Sequence, residues 1–385
     1  MPLDGKVFIE LLNRDVDESE LETISFDDLL KMNIAPGHLF FIPRKAKMPP
    51  ICLLKGGGYI DKEWIVKYTN KGLRSFFCFV IKDDKKIKDG SALLKKLRIS
   101  KNEEEAYLAR NEFINWVKVF LWDGNDDISF LDLSLICMSV FFDLDEKVVT
   151  QIMDKSLVIY DRAQRVSALG VIVALILGYT DFDFLKDVYH ACFLLDYGLC
   201  DDTIPFKVIE ALEVERIKPG TGRDHLVASR ASQSEIDLFL NHPKNGFEKV
   251  LVTCESKFKY PEVVKLILRH HENGMGTGFP LELLHDDLSE WETIPMFVDH
   301  LVSYAETLSK KGDARGFLKD QIDELKANTA LDYLPCKRVF SRIEKEMCSN
   351  KSFELVTRVT NEDGILNIEP IGTEVEAEEE KAVGE

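Results

Sequence analysis

The amino-acid sequence predicts a mainly α protein that begins with a small α+β module. Three observations carry this expectation. Apolar residues recur at helical spacing through residues 103–122, and more densely through 128–142. A run of Val263, Val264, Leu266, Ile267 and Leu268 reads as an apolar helix that His270 and His271 close. Strand-like segments are short and fall within the first 95 residues.

In chain order, residues 7–12, 39–42 and 51–54 read as strands, and 61–69 reads as a short helix feeding a strand at 75–81. Gly56, Gly57 and Gly58 lack the lysine and helix pattern of a phosphate-binding loop and read as a turn. The basic run 85–96, interrupted by Asp89 and Gly90, reads as a solvated edge and linker. Residues 96–150 form a helical connector whose aromatic residues Phe113, Trp116, Phe120 and Trp122 belong to a core. A third part, 151–348, follows. Within it Ser232 and Glu235 have the spacing of a capping box at the start of the helix bearing His242. The polar loop from Lys218 to Arg223 has two readings: a surface excursion, or a lid in which Lys218 or Arg223 meets phosphate. Residues 361–385 are acidic, and the expectation is a disordered tail.

Composition bounds the function. The chain has 385 residues, 45% of them hydrophobic, which is enough for more than one domain and a sizeable core. No apolar run reaches transmembrane length, and the first residues lack a basic start and apolar core, so the expected place is the cytoplasm. Cysteines occur singly, with Cys52, Cys78, Cys137 and Cys192 in apolar surroundings, as reduced core thiols do. A formal charge of −18 argues against a nucleic-acid polymer as partner while leaving room for a small anionic ligand.

The most informative stretch is 269–280, Arg-His-His-Glu-Asn-Gly-Met-Gly-Thr-Gly-Phe-Pro. A helix end with His270 and His271 offers two imidazoles to one metal cluster, because the chain breaks immediately afterwards. Gly274, Gly276 and Gly278 permit positive φ and close backbone approach, and Pro280 stops a renewed helix.

This run resembles the HHE-xxx-GxGYP signature of the HD-GYP family, bacterial metal-dependent phosphodiesterases acting on cyclic di-GMP. The resemblance covers roughly residues 155–345. Asn241-His242-Pro243-Lys244-Asn245-Gly246 is similar to the family's HPxxG element, and the segment from Ile294 to Asp299 to the helix with its last metal-ligating aspartate. Arg165-Val166 with the apolar stretch to Gly178 is similar to the helix that opens the domain, and the stretch from Ala191 to Leu199 to its A-x-L-L-H-D-I-G-K segment. The resemblance implies an all-helical HD-type domain over 151–348. It implies metal ligation by Asp196, His242, His270, His271 and Asp299, and an input or docking role for residues 1–95.

The departures are as informative. Leu195 stands where the family has the His of its His-Asp pair, Leu199 where it has lysine, and Arg162 where the opening helix should carry a histidine. His190 would need a shifted register to replace Leu195. Met275 replaces the usual aspartate and Phe279 the tyrosine. Two lost imidazoles leave half of the cluster with mainly carboxylates, and Arg162 brings a permanent positive charge to the same place. The expected cofactor is therefore one transition metal (iron, manganese or zinc) rather than two or three. Met275 and Phe279 make the signature loop more apolar. They either form a docking surface for a partner or pack inward. Candidate partners are a diguanylate cyclase domain, a second copy of this chain or a signalling adaptor. His225 and His285 read as ordinary surface or loop histidines.

Two function classes follow. One is a pseudo-enzyme of cyclic di-GMP signalling that binds a metal and a nucleotide or protein partner with weak or no turnover. The other is an active metal-dependent cyclic di-GMP phosphodiesterase with a reduced metal site. An architectural domain like the non-catalytic HDOD relatives explains poorly why four metal-binding side chains remain.

Overall fold

A computed structural model describes residues 21–30, 35, 37–42, 51–54, 60, 62–80, 85–121, 130–201, 203–304, 319, 322–323, 337–348, 355–362 and 365–372. The strand expected at 7–12, the Gly56–Gly58 turn, Trp122 and the side chains of Cys52 and Phe120 lie outside the described residues.

The N-terminal part is a four-stranded antiparallel sheet in the order β1-β4-β2-β3. Its strands are β1 (Glu22–Ser25), β2 (Gly37–Phe41), β3 (Ile51–Leu54) and β4 (Ser75–Val80). Helix α1 (Phe26–Leu29) directly follows β1, and α2 (Lys62–Asn70) feeds β4. Phe26, Leu29, Leu39, Ile60, Ile65, Phe76 and Cys78 form a core of their own. Phe76 anchors it, with the rings of Phe26, Trp64 and Tyr68 packed around it. The strand β1 and helix α1 are not among the elements expected from the sequence.

The basic run expected to be a linker is instead helix α3 (Lys85–Ile99). Leu94 and Leu97 are buried, and Lys95 and Lys96 are exposed. Gly90 lets the ring of Trp116 lie against the helix: a Cβ there would come 2.5 Å from the indole. The partner of α3 is α4 (Glu103–Leu121), followed by α5 (Phe130–Phe141) and α6 (Glu146–Lys155). Phe113 of α4 is buried and stacks on Trp116, as a core role requires.

The central element is α7 (Leu157–Ile176), apolar from Ala168 onward and packed against α5, α6, α8 (Phe182–Phe193) and α13 (Thr293–Leu301). Its C-terminal carbonyls are satisfied by a cation from another helix. The buried Arg110 of α4 donates to Leu175 O at 2.6 Å and Ile176 O at 3.1 Å, where the helix dipole favours positive charge. Arg110 also reaches Glu346 of α14 (Lys337–Cys348).

The residues on both sides of the Lys218–Arg223 loop are helical. They fold into α9 (Phe206–Ile217) and α10 (Gly222–Ala228), which bury Val208, Ala211, Leu212 and Leu226 beside α11 (Gln233–Thr253). The capping box at Ser232 and Glu235 is present. Helix α12 (Lys265–Arg269) follows. The disorder expected from residue 361 does not hold for 361–362 and 365–372, which belong to the hairpin of β5 (Leu355–Glu362) and β6 (Ile365–Gly372). Ile365, Leu366, Ile368 and Ile371 give β6 the apolar content that the rest of the acidic tail lacks.

Candidate metal centre

Three buried histidines converge. The ligand-capable atoms of His242, His270 and His271 lie within 4.8 Å of one another, a set able to hold a metal ion. Their tautomers follow from the backbone. Pro243 has no N–H to donate to Phe239 O, four residues earlier in α11. His242 Nδ1 takes that carbonyl instead, donating at 2.6 Å. Ile267 O, left over near the C-terminal end of α12, accepts from His270 Nδ1 at 2.7 Å. A carbonyl can only accept, so each Nδ1 carries the proton and a neutral ring has a bare Nε2.

The two Nε2 atoms face each other at 3.3 Å. Two bare lone pairs at that separation repel unless a proton or a metal cation lies between them. Nitrogens each about 2.0–2.1 Å from a tetrahedral ion stand about 3.3–3.4 Å apart, so the spacing fits a shared metal. His271 adds an Nε2 that is buried without a hydrogen-bond partner. Burial, reinforced by the neighbouring imidazoles, holds His271 well below the ordinary histidine range and His242 down to about 3. Neutral rings are what a metal requires.

Glycine packing brings the carboxylate up. Asp196 precedes the 3₁₀ turn Tyr197–Leu199, which lies against α11 through Gly198 and Gly246. Asp196 Oδ1 thereby comes 3.7 Å from His242 Nε2 and accepts from Tyr304 Oη at 3.2 Å. Its other oxygen meets Arg162. The fully buried guanidinium of Arg162 donates to Asp196 Oδ2 at 3.0 Å and to Asp299 Oδ1 at 2.6 Å. It also donates to Asp299 O and Val302 O, and it lies 3.7 Å from the Tyr304 ring centroid. Burial pushes both carboxyls up. Against that, Arg162 holds Asp299 below its usual range, while Asp196 remains raised.

Of the five residues expected to ligate metal, three histidines therefore gather, Asp196 borders them, and Asp299 faces Arg162. His190 is elsewhere: its Nε2 accepts from the Asp143 backbone N–H at 3.1 Å. Lys218 and Arg223 are exposed. The loop between them closes on Glu215, whose carboxylate accepts from Gly220 N at 2.6 Å and Gly222 N at 2.8 Å. His285 is exposed and His225 is half-buried.

The signature loop splits its two expectations. Phe279 packs inward, its ring stacked on His271 with centroids 4.5 Å apart and tilted against Phe239 at 5.0 Å, so it does not serve as an exposed docking residue. Met275 is exposed. Gly274 and Gly276 have φ of 70° and 72°, and Gly278 touches the backbone of Glu272 and Asn273. Sequence reasoning missed Tyr304 and His300. His300 is buried beside Asp299 and donates from Nδ1 to Arg216 O at 2.6 Å. The only sequence signal for it was its adjacency to Asp299.

Comparison of the chain with protein-family models, curated proteins and solved structures finds no match. No helix among the described residues is long and apolar enough to cross a membrane.

Proposed function

We propose that the chain is a degenerate HD-GYP-type protein of cyclic di-GMP signalling. In this reading its helical body is an HD-type domain that holds one transition metal (iron, manganese or zinc) and binds nucleotide or protein partners with weak or no turnover. The observation that carries this reading is the position of Arg162 between Asp196 and Asp299. These are the two carboxylates that a second metal would need, and the Arg162 guanidinium is already bonded to both. A second cation there would meet like charge at close range in a desolvated interior. One metal without a bridged partner is a poorer source of hydroxide. The burial of His242, His270 and His271 at 0%, 1% and 7% exposure supports the same conclusion, because a catalytic metal needs a position open to water and substrate.

The test is metal analysis of protein purified without chelator, together with a turnover assay on cyclic di-GMP. The expected result is about one transition metal per chain, lost in His270→Ala, with little or no hydrolysis. Arg162→His combined with Leu195→His should raise the metal content. Robust hydrolysis by the unmodified protein, abolished by Asp196→Ala, would overturn the pseudo-enzyme reading. Absence of metal, with no uptake of added manganese, iron or zinc, would remove the metal from it.

A further inference from the structure

Beyond the histidine cluster, the loop after α12 ends in a small hairpin that exposes large apolar side chains. Met275 and Leu284 pair across it in an antiparallel bridge, which places them side by side on one face. Their exposures are 54% and 57%, and Leu281 is 46% exposed. Glu282, Asp286 and Asp287 on the same segment are exposed as well.

The support beneath these side chains is firmly built. The buried Glu272 carboxylate accepts from Leu281 N at 2.7 Å and Leu283 N at 2.8 Å. Those N–H groups flank Glu282, which has φ of 56°, a left-handed conformation that costs a residue with a side chain about 1 kcal/mol or more. Asn273 Oδ1 accepts from Met275 N at 2.9 Å, and Gly276 N donates to Leu283 O at 3.1 Å. A braced loop that holds Met and Leu side chains in water, with carboxylates around them, has the composition of an interface.

We propose that this hairpin is a docking surface for a basic amphipathic segment of a partner protein. Met275, Leu281 and Leu284 take its apolar face, and Glu282, Asp286 and Asp287 meet its lysines and arginines. Charge complementarity selects this occupant. The chain carries −18 overall and attracts a basic segment over distance, whereas a second copy would bring its own three carboxylates against these. The surface requires neither a metal nor a cyclic dinucleotide, so its failure and that of the proposed function are separate results.

The test uses the full chain and a fluorescent 14-residue peptide of leucine and lysine in an amphipathic helical pattern, read by anisotropy. Met275→Asp with Leu284→Asp makes the chain more acidic while removing the apolar anchors. Docking at the hairpin requires weaker binding of the peptide, by roughly tenfold. Mere attraction to an acidic protein requires equal or tighter binding, and that result overturns the proposal. Asp286→Lys with Asp287→Lys should weaken binding too, and unchanged binding there equally overturns it. Leu284→Ser serves as a milder variant if the double substitution disturbs folding. No measurable binding of the peptide by the unmodified chain, or a dimer in sedimentation that the Asp double variant dissolves, would also overturn it.

Discussion

Gly198 lies directly against the backbone carbonyl of His242, and a Cβ at position 198 would overlap that oxygen. This contact sets the distance between the 3₁₀ turn and α11, and with it the separation of Asp196 from the histidine cluster. Neither backbone can yield cheaply, because Gly198, His242 and Gly246 are all buried at the contact. Gly198→Ala should destabilise the chain by about 1–3 kcal/mol through overpacking, and it should lower metal retention as Asp196 moves away. Urea unfolding and metal content measured on the same preparation check both. Unchanged values would mean that the turn and helix can separate without consequence.

Among the described residues, Arg162 is the cation bonded to both Asp196 and Asp299. Replacing it with Met keeps volume but leaves two buried carboxyls without their partner. The expected loss is about 3–5 kcal/mol at neutral pH, shrinking in acid as the carboxyls take up protons. A loss below about 1 kcal/mol, the range of an exposed ion pair, would show that solvent reaches the pair.

The imidazole lock on α11 can be tested apart from the ligands. Pro243→Ala restores an N–H that competes with His242 Nδ1 for Phe239 O. Fold stability should hold or rise, since an interior proline is lost from a helix. Metal affinity should fall by about 10- to 100-fold, as when a ligand's orienting partner is removed. Equal affinity in the variant would show that the His242 ring is held by packing alone.

Stability of the metal-free chain should fall in acid. Burial depresses His190 and His242 to about 3, and lowers His271 and His300 as well. Unfolding lets each take a proton below its ordinary value of about 6.5. The unfolded chain therefore binds more protons from there down to the folded values, and stability rises with pH across that window. Three carboxyls act oppositely. Asp187, raised to about 7 by burial, and Asp196 and Glu215, also raised by burial, are protonated more readily in the folded chain. The Asp187 contribution is complete below its unfolded value and is lost as pH rises through 7. Four imidazoles, joined by the lowered Glu213 and Asp299, outweigh three raised carboxyls, so unfolding in urea should show stability increasing between about pH 4 and pH 6. Asp187→Asn should remove the decline around pH 7. A chain that is more stable at pH 4 than at pH 6 would contradict this balance.

Local features were legible in the sequence alone. The strand at 51–54, the helices around 103–121 and 130–141, the capping box at Ser232 and Glu235, and the placing of His270 and His271 at a helix end all follow from patterns within a few residues. The His242-Pro243 pair was visible only through the resemblance to the HPxxG element. Composition misled where it met packing. The basic run 85–96 read as a solvated edge and linker, whereas Leu94 and Leu97 are buried and Gly90 packs against Trp116. Phe279 read equally well inward or outward, and only the His271 ring beneath it decided. The character of the metal centre depended entirely on tertiary structure. His242 meets His270 across 28 residues, Arg162 meets Asp196 across 34, and Arg162 meets Asp299 across 137. The sequence supplied these side chains. Which imidazole faces which, and which carboxylates an arginine claims, is settled by helix packing and by two glycines that let a turn touch α11.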